Sequence, residues 1–179
     1  MRPSLTVRQA ALAIALAASS TVGGALVFEH VWGYVPCKLC LTQRNPYYLA
    51  IPLALATAVL PPRWARGGLG LLAAIFIVSA GLGAYHAGVE WGFWTGPSDC
   101  GGAPAPGAGN MGDFLNQLQT TRVVSFTEAA WRFLGLSLAG WNVLISLGIA
   151  AFAAWAAGRD ILAGSAAGKG AYGSSSLSQ

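Results

Sequence analysis

The chain has 179 residues, of which 55% are hydrophobic and 9% are charged, and its formal net charge is +4. A typical soluble domain carries about 25% charged residues, so this composition excludes an ordinary soluble globular protein. The ten Lys and Arg residues are spread along the chain without forming a basic run, which argues against a nucleic-acid-binding surface. The composition predicts a chain that is largely buried in a lipid bilayer.

Four stretches that contain no Lys, Arg, Asp or Glu are long enough for a membrane-spanning helix, namely 9–28, 45–62, 67–89 and 133–158. A helix needs about 20 mostly apolar residues to cross a bilayer core that is about 30 Å thick. We therefore predict an all-α integral membrane four-helix bundle over residues 1–162 and a disordered cytoplasmic tail over residues 163–179. The first stretch also has features of a secretory signal peptide, but it stays apolar as far as Phe28, which favours a retained span.

The basic residues are distributed unevenly over the segments that connect the predicted spans. Lys and Arg accumulate in cytoplasmic loops, so we predict that both termini lie in the cytoplasm and that the loops 29–44 and 90–132 lie on the opposite side. All three cysteines then lie on that outer side, where disulfides persist. The basic residues assigned to the cytoplasmic side are Arg2, Arg8, Arg63, Arg66, Arg159 and Lys169.

Cys37 and Cys40 form a CxxC motif at the outer mouth of the second predicted span. Such a motif is a redox pair, half of a metal site or a structural disulfide. A zinc site needs two more ligands, and Cys100 together with His86 or His30 would supply them. We favour the redox pair and assign no metal site.

Two ionisable residues support the redox interpretation. Arg44 follows Cys40 by four residues, so a helix would place both on one face, where a guanidinium favours the reactive thiolate. His86 lies near the outer end of the third span, and ionisable residues within spans usually mark functional sites. The simpler alternatives are an Arg44 that only reaches the membrane interface and a His86 that is hydrogen-bonded to a neighbouring helix.

Three motifs together resemble one known family. They are Pro-Cys-Lys-Leu-Cys-Leu-Thr-Gln-Arg over residues 36–44, Tyr85-His86 in the third span, and Trp-Arg-Phe-Leu-Gly-Leu over residues 131–136. With four predicted spans, the chain resembles the DsbB family of disulfide bond formation proteins. The resemblance implies an enzyme of the bacterial inner membrane, active on the periplasmic side. It would reoxidise a soluble DsbA-like dithiol oxidase and pass the electrons to a membrane quinone, either ubiquinone or menaquinone.

The resemblance also implies a role for individual residues. Cys37 and Cys40 would be the quinone-linked pair, and Cys100 would be the loop cysteine that exchanges disulfides with the partner. A thiol that faces water suits the soluble partner, whereas a pair at the bilayer surface suits a lipid-soluble acceptor. The side chains implied to line the pocket of the quinone headgroup are Arg44, His86 and Gln43.

One position departs from the family pattern. The family has a second loop cysteine shortly before the Trp-x-Phe-Leu-Gly motif, where this chain has Phe126. Cys100 therefore lacks its usual intraloop disulfide partner. Either the partner attacks the Cys37–Cys40 disulfide directly, or Cys100 first pairs with one of these two cysteines.

The sequence leaves four alternatives to a working oxidase. One is a broken relay that binds quinone or the partner without turnover. The second is a non-enzymatic membrane protein with a structural CxxC, and the third is a metal- or haem-binding protein. Four-span enzymes that reduce vitamin K epoxide are a neighbouring family, but they fit the motifs over residues 36–44 and at Tyr85-His86 less well.

Overall fold

The computed structural model describes residues 6–34, 36–96 and 131–173, with side chains up to residue 159. These residues form four helices, α1 (Val7–His30), α2 (Lys38–Val59), α3 (Pro62–Glu90) and α4 (Leu138–Gly173). A short antiparallel hairpin of β1 (Arg132–Phe133) and β2 (Leu136–Ser137) precedes α4. The prediction of a mostly helical protein is confirmed for this part of the chain.

Within the described residues, three segments are long and apolar enough to cross a membrane: α1, α3 and Leu138–Arg159 of α4. Their mean hydropathies are 1.9, 2.0 and 1.6. α2, whose first turns carry Lys38, Gln43 and Arg44, is not among these segments. The second of the four predicted spans therefore stays a prediction.

The helices pack through small side chains. α3 makes its most extensive contact with α4, and α2 packs between α1 and α3. Alanines dominate the buried core, and among the fully buried side chains the largest are Phe76, Ile14, Leu69 and Leu72. Small residues let helix backbones approach closely in a membrane. At Gly83 of α3, an added Cβ would lie 3.0 Å from Val143 and 3.1 Å from Asn142, so this glycine sets the close approach of α4.

The start of α2 differs from the prediction. The charge-free stretch and Pro46 placed the beginning of the span near residue 45, but the helix begins at Lys38 and contains both Pro46 and Pro52. Cys37 is the N-cap residue, and its sulfur accepts a hydrogen bond from the backbone N–H of Cys40. This cap satisfies one of the N–H groups that every helix leaves unpaired at its start. The CxxC motif is consequently the first turn of α2.

The start and the end of α4 also differ from the prediction. Residues 133–137 lack charge, yet they belong to the hairpin, whose two-residue turn has Leu134 at φ 53° and Gly135 at φ 82°. Two consecutive left-handed residues are typical of a type I′ hairpin turn, which a count of charges does not detect. At its other end, α4 extends to Gly173, whereas the composition predicts disorder from residue 163. Residues 163–173 hold four alanines, which favour a helix, and four glycines, which disfavour one, so composition alone does not explain this extension.

Candidate active site

The CxxC pair lies where α2 meets the end of α3. Cys37 is buried, with 3% of its surface exposed, and packs against Val89 of α3. Its Sγ lies 3.1 Å from the backbone nitrogen of Cys40, and both cysteines are free thiols. The positive end of the helix dipole and a backbone donor both favour negative charge on this sulfur. The arrangement is that of a reactive thiol.

His86 of α3 stands beside this pair. Its Nε2 lies 3.8 Å from Cys37 Sγ and also 3.8 Å from Oε1 of Glu90, one helical turn further along α3. The side chains of His86 and Glu90 are 5% and 7% exposed. The structure thus places the histidine singled out in the sequence next to the sulfur of the CxxC motif.

The pKa of the Cys37 thiol is lowered from 9.0 to about 5. The largest cause is the hydrogen bond with the Cys40 side chain, and burial opposes it by raising the pKa. Hydrogen bonding with His86 lowers the pKa further. Hydrogen bonds to a thiolate stabilise its charge, so these contacts favour the ionised form of Cys37 in the reduced pair. Arg44 was expected to act in this way, but it is Cys40 and His86 that lower the pKa.

Arg44 instead forms an ion pair with Glu29 at the end of α1. The guanidinium Nη1 donates to Oε2 of Glu29, and the side-chain exposures are 12% and 27%. This pair ties α1 to α2 at the level of the CxxC motif. Both residues still face the cavity described below.

Gln43 belongs to a buried polar cluster. Its amide nitrogen contacts Nδ1 of His86, and its Oε1 accepts a hydrogen bond of 2.7 Å from Nδ2 of Asn142 in α4. Tyr47 donates a hydrogen bond of 2.6 Å to Oδ1 of the same asparagine. Asn142 and Tyr47 were missed in the sequence, although polar side chains in an apolar stretch are grounds for a functional hypothesis.

A cavity of about 310 Å³ opens beside these residues. Its walls are largely apolar and include aromatic rings from three parts of the chain, Phe28, Trp131 and Trp141. Among the described residues, Cys40 lines the cavity whereas Cys37 does not. The polar residues that line it are Glu29, Tyr34, Gln43, Arg44, Tyr47, His86, Glu90 and Asn142, with Ser20 and Thr21. An apolar pocket with a few convergent polar groups is the usual form of a small-molecule site.

Glu90 is a further residue that the sequence analysis missed. It was counted as a loop acid, but its carboxylate lines the cavity, and Oε2 has no hydrogen-bond partner among the described residues. A buried charge without a partner is costly, so an unpaired carboxylate oxygen beside the cavity marks a position that a ligand would contact. Its spacing of four residues from His86 was the signal available in the sequence.

The other residues named from the sequence are Cys100, Phe126 and His30. Cys100 and Phe126 are outside the described residues. Nδ1 of His30 lies 3.1 Å from the carbonyl oxygen of Leu26 at the end of α1, in an exposed position. The ligand atoms of Cys37, Cys40 and His86 lie within 4.8 Å of one another. That spacing is compatible with zinc, whose tetrahedral sites need a fourth ligand.

The chain is similar in sequence to known proteins of one family. A sequence model described as "Disulfide bond formation protein DsbB" matches residues 7–156. The chain belongs to the DsbB family. Disulfide bond formation protein B of Marinobacter nauticus is 33% identical over 136 residues, which cover 70% of this chain and 79% of that protein. Disulfide bond formation protein B 1 of Pseudomonas aeruginosa is 31% identical over 147 residues, covering 79% of this chain and 89% of that protein.

Not every relative carries a functional name. The uncharacterized protein RP370 of Rickettsia prowazekii is 28% identical over 137 residues, covering 76% of this chain and 77% of that protein. No solved structure matches the chain significantly. Membership of the DsbB family, with three helices able to span a membrane, indicates a multi-pass bacterial membrane protein with a role in disulfide bond formation.

Proposed function

We propose that the chain reoxidises a DsbA-like periplasmic dithiol oxidase and passes the electrons to a quinone of the inner membrane. The observation that carries this proposal is the position of the two sulfurs. Cys40 faces an apolar cavity, whereas Cys37 is held beside His86 as a thiol of low pKa. The active side is the periplasmic one, as the predicted topology implies.

The cavity suits a quinone headgroup. Its volume of about 310 Å³ lies at the lower end of the range for small-molecule sites, about 300–1,000 Å³. Its aromatic walls match a flat ring, and the Arg44 guanidinium and the Gln43 amide are hydrogen-bond donors for carbonyl oxygens. A quinone supplies a two-electron acceptor that dissolves in the bilayer. A cationic side chain near the acceptor also favours the negative charge that develops on its oxygens during reduction.

The proposed reaction consists of two half-reactions, in which the electrons pass first from the partner to the CxxC pair and then from the pair to the quinone. In the first, a thiolate of the partner attacks the Cys37–Cys40 disulfide, one sulfur leaves as a thiolate, and the partner's second thiol resolves the mixed disulfide. The partner leaves oxidised, and Cys37 and Cys40 are reduced. In the second half, the disulfide of the pair forms again, and two electrons and two protons pass to the quinone. Because Cys40 faces the cavity, we assign the contact with the acceptor to its sulfur.

Cys100 determines which of two routes the first half takes. The partner attacks the pair directly, or it attacks a disulfide that Cys100 has formed with Cys37 or Cys40. Both routes need Cys37 and Cys40, since these two alone can close the CxxC disulfide. A structural CxxC suits the site less well, because a structural disulfide needs neither a buried histidine beside its sulfur nor a ligand-sized cavity.

The broken relay is the second candidate function, and the observation that favours it is Phe126. No fourth cysteine exists in the chain to pair with Cys100. If the direct route is closed, the protein would bind quinone or hold the partner as a mixed disulfide without turnover. The Phe126→Cys variant distinguishes the two candidates, since it restores the fourth cysteine.

The test is quinone reduction by the purified protein in detergent, driven by a reduced DsbA-like dithiol and followed by ultraviolet absorbance. We expect turnover by the parent protein and none by Cys37→Ser or Cys40→Ser, while Cys100→Ser shows which route operates. An inert parent with an active Phe126→Cys variant would assign the broken relay instead. If the parent and Phe126→Cys are both inert, the assignment as an oxidase is wrong.

A further inference from the structure

A row of hydrogen-bonded side chains leads from α4 to the active-site histidine. Tyr47 contacts Oδ1 of Asn142 at 2.6 Å, Nδ2 of Asn142 contacts Oε1 of Gln43 at 2.7 Å, and Nε2 of Gln43 contacts Nδ1 of His86. Tyr47, Gln43 and His86 are buried. On the far side of Tyr47, the row continues through Ser146 at 2.9 Å.

The row has a direction because an amide has a donor end and an acceptor end. Oδ1 of Asn142 accepts from Tyr47, and Ser146 Oγ lies 3.4 Å from the same oxygen. The Asn142 nitrogen therefore faces Gln43, and a nitrogen of this kind only donates. Gln43 must turn its own oxygen toward Asn142, which leaves its nitrogen facing His86.

This direction fixes which nitrogen of His86 carries the proton. Nδ1 meets the N–H of Gln43, so it must offer its lone pair. A neutral imidazole has one N–H group, which is then on Nε2, the atom that lies 3.8 Å from Cys37 Sγ. We propose that Asn142 is a positioning residue that orients the Gln43 amide and thereby holds His86 in the tautomer whose Nε2–H points toward the sulfur of Cys37.

The other groups around the sulfur agree with this role. Cys40 donates its backbone N–H to Cys37, and Glu90 lies 3.8 Å from Nε2 of His86 as an acceptor. With the opposite tautomer, Nε2 would present a lone pair to both the sulfur and the carboxylate. The row from α4 thus adds a second donor toward the sulfur, beside the backbone N–H of Cys40. The importance of this donor for turnover rests on the proposed function, but the tautomer does not.

The tautomer is measured directly by nitrogen-15 NMR on histidine-labelled protein in detergent. The chain has two histidines, and the second one is an internal reference. Nδ1 of His30 lies 3.1 Å from the carbonyl oxygen of Leu26, an acceptor, so neutral His30 carries its proton on Nδ1. A His30→Gln sample assigns the two sets of signals. We expect the opposite tautomers, with His86 protonated on Nε2.

Two variants test the role of α4. Asn142→Leu frees the Gln43 amide to rotate, and we expect the ratio of the Nε2–H to the Nδ1–H form of His86 to fall about tenfold, as for the loss of one hydrogen bond. Tyr47→Phe keeps the ring that packs edge-to-face on Phe76 but removes the donor that orients Asn142, so we expect a change in the same direction. Gln43→Glu is the reference for the Nδ1–H form, because its carboxylate only accepts.

The matched control is Asn45→Leu, which removes an asparagine from an exposed position of the same turn of α2. We expect no change of tautomer in this variant. An Nδ1–H tautomer of His86 in the parent protein would overturn the inference. So would an unchanged ratio in Tyr47→Phe, even if Asn142→Leu fails to fold. Since the spectra need neither partner nor quinone, a parent without turnover would contradict the proposed function but leave this result standing.

Discussion

Replacing Cys40 should raise the pKa of Cys37, by an amount that depends on the replacement. The hydrogen bond from the Cys40 side chain is the largest cause of the lowered pKa of Cys37. Cys40→Ala removes that donor, whereas Cys40→Ser keeps a hydroxyl donor at almost the same place. We therefore expect the pKa of Cys37 to rise most in Cys40→Ala and less in Cys40→Ser.

The lowering from 9.0 to about 5 is a difference of about 4 pKa units. Cys40 supplies the largest favourable part, burial opposes it, and His86 adds a smaller favourable part. The pKa of Cys37 should therefore be lowest in the Cys100→Ser background, higher after Cys40→Ser and highest after Cys40→Ala.

The assay is the ultraviolet absorbance of the thiolate, titrated against pH on the reduced protein in detergent. All samples carry Cys100→Ser, and a Cys37→Ser, Cys100→Ser sample supplies the baseline. Since the pKa of Cys37 is lowered, the thiolate is present above pH 5 and is lost as the pH falls through about 5. The reasoning is refuted if Cys37 titrates near 9.0 in the background protein, or if Cys40→Ala and Cys40→Ser titrate together with it.

Three other outcomes follow from the fold and the site. Glu29→Gln leaves the part-buried Arg44 without its carboxylate, so we expect a loss of about 1–3 kcal/mol in the free energy of unfolding. A double-mutant cycle with Arg44→Gln, measured by thermal unfolding, should show coupling between the two substitutions. Additive effects would mean that the ion pair contributes nothing to stability. Gly135→Ala puts a side chain at φ 82° and should lower the free energy of unfolding by about 1–2 kcal/mol. Leu134→Gly, at φ 53°, should not destabilise the hairpin. Equal effects of the two substitutions on thermal unfolding would contradict the assigned turn. Chelator treatment should leave quinone reduction unchanged, and a loss of activity restored by zinc would instead support a metal site at Cys37, Cys40 and His86.

The positions of the helices were predictable from the distribution of charged residues along the sequence. A helix that crosses lipid excludes charged residues, so each charge-free stretch lies largely within one helix. The ends were less predictable, because backbone geometry sets them. The turn at Leu134 and Gly135 is as apolar as the helix that follows, and Pro46 lies inside α2 rather than at its start.

The site was predictable only where its residues are close in sequence or match a family motif. The segment from Cys37 to Arg44 folds as the start of one helix, whereas the span was predicted to begin near residue 45 and a helix at Cys40 and Arg44 was only a condition for placing them on one face. Asn142 lies 99 positions from Gln43, and only the packing of α4 brings the two together. Glu90 was read as a loop residue because the span was expected to end at residue 89, whereas α3 includes it.

The most direct test of the account is a single turnover without a partner. The Cys37–Cys40 pair is reduced chemically, the reductant is removed, and one equivalent of quinone is added to the protein in detergent. Ultraviolet absorbance follows the quinone, and mass spectrometry identifies the disulfide. We predict one quinol and one Cys37–Cys40 disulfide per chain, in Cys100→Ser as in the parent. If the quinone stays oxidised while the pair stays reduced, electrons do not pass from the CxxC motif to quinone, and the account is contradicted.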